Sequence, residues 1–191
     1  MNELQKIFSQ IFQQFSAETV AMFSEAFTQK EFKKGDYFLR EGNRSSHLAF
    51  ITSGAMMCYY IKDGKRFIDE FSLDNEFITD YSSFLTHSPS NKYIQCLENC
   101  QIYVISNDSL NDLYQIKSTD FEKLGRVMAE HLYLHWHEKS KSLLMDNATE
   151  RYLKLIQNRA ELPQRVPQYL IAEYLGITPE SLSRIRKTSF Q

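Results

Sequence analysis

The chain has 191 residues, 42% of them hydrophobic, with a formal net charge of −2. That length makes one large or two small domains with a real core, and the balance of charge excludes a uniformly basic nucleic-acid coat. No apolar run reaches membrane-spanning length and no basic-then-apolar leader opens the chain, while Cys58, Cys96 and Cys100, an odd number set in apolar sequence, read as reduced thiols of a cytoplasmic protein.

Residues 3–28 read as helix. Leu4, Ile7, Phe8, Ile11, Phe12 and Phe15 recur at 3–4 spacing, and Ser16 with Thr19 starts a second piece. Over residues 31–105 the texture changes to short apolar runs at 37–39, 48–52, 56–61, 67–71, 93–97 and 102–105, punctuated by Gly35, Gly42, Gly54 and Gly64. Asp63-Gly64 between two of these runs is a hairpin signal. Short strands at this spacing define an all-β sandwich or roll. Residues 78–89 break the rhythm with a polar stretch and a short helix over 80–85, of a length that marks functional loops.

Residues 118–145 read as one long helix. Phe121, Leu124, Met128, Leu132 and His135 form one stripe, and Val127, His131 and Leu134 a neighbouring one. At about 42 Å such a helix overhangs a body of this size. Apolar on more than one face, it is expected to pair with a second copy of itself. Residues 147–160 make a further helix with Tyr152, Leu153 and Ile156 inward, and Pro163 and Pro167 bracket an extended link.

The stretch Q-Y-L-I-A-E-Y-L-G-I-T-P-E-S-L-S-R-I at 168–185 has the pattern of a helix-turn-helix. Ala172 lets two helices cross closely, and Gly176 tolerates the positive φ of the turn. Ile171, Leu175, Ile177, Leu182 and Ile185 fall between the helices. Thr178 caps the second helix, with Pro179 at its first position and Glu180 in its first turn. Glu180, Ser181, Arg184, Lys187 and Thr188 remain as a polar outer stripe, of a width that fits a DNA major groove. Seven basic and four acidic residues lie in 150–191, net +3, which leaves −5 on the rest. A basic end on an acidic body fits DNA contact through that end alone.

In this order of elements the chain resembles the cyclic-AMP receptor (Crp/Fnr) family of transcription regulators over nearly its whole length. The carrying residues are F-K-K-G-D-Y-F-L-R-E-G-N at 32–43, F-I-T-S-G at 50–54, E-R-Y-L-K-L-I at 150–156 and V-P-Q-Y-L-I-A-E-Y-L-G-I-T-P-E-S-L-S-R-I-R-K at 166–187. The wording of the last is similar to the Bacteroidetes-type branch. The resemblance implies an α+β fold. Residues 1–117 would be a double-stranded β-helix or jelly-roll sensor of the cyclic-nucleotide-binding kind. Residues 118–145 would be a dimerisation helix, and 146–191 a helix-turn-helix domain. It implies a homodimer on near-palindromic double-stranded DNA, with no membrane partner. Glu180, Ser181 and Arg184 match the family's DNA-contacting positions. Arg184 suits guanine O6 and N7, and Glu180 suits cytosine N4. Thr178, Ser181 and Lys187 suit phosphate.

The sequence departs from the family pattern in the cyclic-nucleotide cassette. Thr79-Asp80 stands where the family has Gly-Glu, Ser90-Asn91 stands where it has Arg-Ser or Arg-Thr, and no arginine occurs over 67–125. Loss of a guanidinium fork on a cyclic phosphate costs roughly 1.5–3 kcal/mol, and Lys92 supplies only a point charge. Thr79, Asp80, Tyr81, Ser82, Ser90, Asn91 and Lys92 are therefore the candidate pocket for an effector other than cyclic AMP. Cys96-x3-Cys100 lacks a partner pair for zinc, and His131 and His135 at i, i+4 lack a third ligand, so no metal or cofactor is expected. The chain stops at Gln191 without a full β-hairpin wing. No phosphate loop, nucleophile motif or catalytic carboxylate pair is present, so no catalytic residue is expected. The competing expectation is a ligand-sensing or protein-interaction module whose helix-turn-helix has lost specific DNA binding.

Overall fold

A computed structural model describes residues 2–117 and 119–189. Two helices, α1 (Glu3–Ile11) and α2 (Ala17–Glu25), precede the strands. The second helical piece expected to start at Ser16 with Thr19 is α2: Ser16 takes an extended backbone and caps it, its Oγ accepting from Thr19 N at 3.1 Å.

Eight strands follow: β1 (Thr28–Phe32), β2 (Tyr37–Leu39), β3 (His47–Ser53), β4 (Met56–Lys62), β5 (Lys65–Ser72), β6 (Phe77–Ile78), β7 (Tyr93–Cys96) and β8 (Cys100–Ser106), with α3 (Tyr81–Thr86) between β6 and β7. They pair antiparallel into two four-stranded sheets, β1-β8-β3-β6 and β2-β7-β4-β5. Asp63 and Gly64 turn the β4–β5 hairpin with φ of 52° and 71°, the paired positive values of a type I′ turn. On β5, Cys58 pairs with Glu70 but Tyr59 pairs with Ile68. Asp69 is therefore an extra residue, a β-bulge.

The helices α4 (Asn107–Gln115), α5 (Thr119–Met145), α6 (Ala148–Asn158), α7 (Leu162–Arg165), α8 (Gln168–Leu175) and α9 (Pro179–Ser189) complete the described residues. The long helix expected over 118–145 is α5; Ser118 lies outside the described residues. Where an extended link was expected between Pro163 and Pro167, the chain makes α7. Pro163 sits in its first turn, where a missing N–H costs nothing. Asn147 and Glu150 close a reciprocal capping box on α6.

Three apolar clusters hold these elements. One lies between the sheets, around Ile51, Met56, Ile94 and Ile102. A second joins α1, α2, α4 and the start of α5 to the first sheet through stacked and edge-on phenylalanines, with Phe8 against Phe12, Phe23, Phe27 and Phe50 at 5.0–5.4 Å between centroids. In the third, Tyr59, Ile68, Phe71 and Leu73 of the second sheet share one core with Tyr152, Leu162, Leu170, Ile171, Leu175 and Leu182 of the C-terminal helices. Cys58, Cys96 and Cys100 are buried free thiols, and burial pushes the Cys58 thiol up to about 12.

Candidate functional sites

The C-terminal pair α8–α9 is built as its residues require. Gly176 closes α8 at φ 69°. Ile177 N donates to Ala172 O at 3.0 Å and Gly176 N to Glu173 O at 3.1 Å, a Schellman closure. Thr178 Oγ1 accepts from Ser181 N at 3.2 Å and so caps α9. Leu182 is buried and Ile185 half-buried against α8, which turns the opposite side of α9 to solvent. That side presents Glu180, Arg184, Lys187 and Thr188, as expected, and also Ser183; Arg186 is exposed on the flank. Ser181 differs from the rest: it is half-buried, and its hydroxyl accepts from Thr178 at 3.2 Å and Arg184 at 3.5 Å. Measured from the inward Leu182 and Ile185, helical periodicity places Ser183 outward, a signal the sequence reading passed over. The Glu180 carboxyl is held below its usual pKa by its own backbone N–H and the Thr178 hydroxyl, so it stands as an ionised acceptor.

The second candidate lies where α3 and β7 meet β5. Thr79 donates to His47 O at 2.9 Å and shares a 2.8 Å bond with Ser45, while Ser45 N donates to Ser83 Oγ at 2.9 Å. These bonds spend the hydroxyls on the fold. Ser90 donates to buried Asp80 at 2.7 Å and accepts from Lys92 N at 2.9 Å, so Asp80, Ser90 and Lys92 do come together. Tyr81 turns instead toward Phe84 and a shallow cleft with Tyr114, Glu122, Gly125 and Arg126. Ser82 and Asn91 face solvent.

Lys92 is committed. Its Nζ lies 2.9 Å from Asp69 Oδ2 and over the rings of Tyr60 and Trp136, at 5.1 and 5.6 Å. Lys139 of α5 meets the other Asp69 oxygen at 3.0 Å and also bonds Asp69 O. The bulge turns Glu70 toward the same place. It lies 2.9 Å from His135, 3.6 Å from Lys139 and 3.4 Å from Arg159. Burial works to raise the Asp69 carboxyl, but Lys139 and Lys92 hold it below its usual range. Burial likewise works against Glu70, yet His135, Lys139 and Arg159 hold it low. Asp69, Tyr60, Trp136 and Lys139 were not legible as members of this site. They come from three elements, and only the bulge brings them together. Among the described residues no His/Cys/Asp/Glu group has the geometry of a metal site, and no helix is long and apolar enough to cross a membrane.

Residues 29–117 match the family model of the cyclic nucleotide-binding domain. The sandwich with its α3 insertion is the part of the molecule that this match covers, and the molecule is a mixed α/β protein in which helices flank it. Among solved structures the chain is similar to the c-di-GMP-responsive global regulator CLP of Xanthomonas campestris, at TM-score 0.69 and 18% identity over 91% of each chain. It is similar to FixK2 of Bradyrhizobium japonicum, at TM-score 0.66 and 20% identity over 85% of this chain and 83% of that one. It is also similar to the catabolite activator protein of Thermus thermophilus, at TM-score 0.58 and 16% identity over 93% and 85%. At these identities the likeness is one of fold, and it spans the C-terminal helices as well as the sandwich. No curated protein sequence matches the chain.

Proposed function

We propose that this protein is a homodimeric, sequence-specific DNA-binding transcription regulator of the Crp/Fnr type. Residues 1–117 act as sensor, 118–145 as pairing helix and 146–191 as the DNA-reading unit. The observation that carries the proposal is the outward face of α9. A Thr178-capped helix presents Glu180, Arg184 and Lys187 side by side to solvent, behind a Schellman turn of the kind a helix-turn-helix needs. Each α9 would enter one major groove. Arg184 would donate to guanine, Glu180 would accept from cytosine, and Lys187, Thr178 and Ser181 would contact phosphate.

Cyclic AMP does not suit the sensor. Its phosphate would have to take Lys92 from Asp69, in a site that also holds Asp80. That exchanges one charge pair for another and adds carboxylate repulsion, so it returns little net energy. The effector, if the cassette takes one, is a different small molecule. Calorimetric titration is expected to show no cyclic-AMP binding in the micromolar range, and micromolar affinity would overturn this point.

The DNA reading is tested by selecting bound sequences from random duplexes at a stated salt concentration. Enrichment of an inverted repeat is expected. Equal recovery of all sequences, abolished by moderate salt, would leave only counterion release and sink the claim of specific reading. That result would favour the protein-interaction alternative.

A further inference from the structure

The C-terminal helices meet the sandwich through an apolar core and through three arginines, each spread as a fork. Arg66 of β5 grips Glu173 of α8, Nε to Oε2 at 2.8 Å and Nη2 to Oε1 at 3.0 Å. Arg159, which closes α6, bonds both Glu76 oxygens at 2.7 and 2.8 Å and Phe71 O at 2.7 Å. Arg165, at the end of α7, reaches Glu98 at 2.7 and 3.2 Å and Asp74 at 2.8 and 3.2 Å. The sandwich partners stand at three separate places: the donor Arg66 by the β4–β5 hairpin, the acceptors Asp74 and Glu76 in the β5–β6 turn, and the acceptor Glu98 in the β7–β8 turn.

An apolar contact favours burial but not direction. Tyr59, Ile68, Phe71 and Leu73 would tolerate small rotations of the helices laid on them. A planar guanidinium on a carboxylate or carbonyl is directional, and forming it bidentately fixes both distance and angle. Three such forks at three points leave a rigid unit no rotational freedom. Helix α9 belongs to that unit through the α8–α9 turn, and α5 continues into it through Arg151, which bonds Asp146 O at 2.6 Å and Leu175 O at 2.9 Å.

We propose that Arg66, Arg159 and Arg165 are positioning residues for DNA reading. They touch no DNA; they hold the outward face of α9 at a fixed angle to the sensor and to α5, and so set the half-site spacing that a dimer accepts. The proposal rests on the DNA-reading function above. It adds that the joint between sandwich and reading unit is locked, so that any adjustment of spacing must come from elsewhere, at the α5 pairing.

The experiment uses the full chain and the inverted repeat recovered by selection. Its two halves are moved apart or together in single base-pair steps, and a duplex carrying one half-site serves as reference. Wild type is expected to lose about tenfold in affinity at spacings one or two base pairs from optimum. Arg66→Gln and Glu173→Gln are expected to flatten that dependence to within about twofold and to leave the half-site affinity nearly unchanged. The two variants alter charge in opposite directions, so a shared effect cannot come from counterions. The exchange Arg66→Glu with Glu173→Arg is expected to restore the spacing preference. Folded variants that keep the wild-type dependence would overturn the proposal, as would an equal loss at every spacing and at the half-site. A second readout needs no DNA. Spin labels at exposed Gln10 and Ser183, through Gln10→Cys and Ser183→Cys in a chain mixed with a large excess of unlabelled chain, should give one narrow intrachain distance that broadens in Glu173→Gln and narrows again in the exchange. An unchanged distribution overturns the lock. Failure of wild type to select any sequence, with the distance result intact, would instead overturn the DNA reading and leave the lock standing.

Discussion

Arg184 and Lys187 sit one turn apart on the same face of α9 but have different expected roles, and substitution separates them. Arg184→Ala removes a fork that only guanine matches, so preference should relax at one base position by about 1–3 kcal/mol. Lys187→Ala removes a phosphate contact, so all sequences should weaken about equally and the salt slope should fall by about one. Binding titrations on the selected site and its single-base variants at several salt concentrations check both. Gly54 is a residue whose role is backbone space. At φ 124°, a Cβ there would lie 2.5 Å from Cys100 Sγ and 2.9 Å from Asn99 O. Gly54→Ala combines strain with overpacking, and about 3 kcal/mol of lost stability is expected. A lower urea midpoint at unchanged slope would confirm it. Nothing in the sequence shows that Gly54, unlike Gly35 or Gly64, lacks room for a Cβ, since the close approach of β8 is a tertiary fact.

His135 connects the residue to its element. The Glu70 carboxylate raises its pKa from 6.5, against burial and the nearby Lys139 and Arg159 charges. A group raised in the folded state lends stability that is full below its unfolded pKa and disappears as pH rises through the folded value. The stability difference between wild type and His135→Asn should therefore be largest below about pH 6.5 and vanish on the alkaline side. Urea unfolding across that range measures it, and a difference that grows with pH would refute the pairing. The sequence placed His135 on one of two stripes of α5, with Phe121, Leu124, Met128 and Leu132, and the structure turns it to Glu70 of the sandwich. It could not show the partner, because Glu70 faces α5 only through the bulge at Asp69. Legibility of elements follows the same physics. The Ser16 cap, the Asp63-Gly64 hairpin, the long α5 and the Gly176 turn were readable because their causes are local. β1 was not, since four of its five residues are exposed and show no alternation. Nor was α4, which follows β8 with no glycine or proline between them. The three arginine forks join residues 67 to 107 positions apart, and no local pattern announces such pairs.

At the scale of the whole molecule, the proposed dimer would pair through the face of α5 turned away from the sandwich. Tyr133, Leu134 and Leu144 are 68%, 56% and 86% exposed, and all three belong to the outward side of a helix about 40 Å long. Large apolar side chains in a row on one solvent-facing side suit the seam of a helical pair, which is the role proposed for them. Few cations lie on α9, so one copy would bind a half-site weakly, and two linked copies gain affinity from effective concentration alone. Leu144→Asp puts a charge in the seam without touching any of the three apolar clusters. Sedimentation should then show a monomer where wild type is expected to be a dimer, with thermal stability measured at low protein concentration unchanged. Affinity for the full inverted repeat should fall at least tenfold, toward that of a single half-site, while half-site affinity holds. A Leu144→Asp protein that remains dimeric would move the pairing surface off α5. The spacing of the two α9 helices would then have to be set by another face of the sandwich.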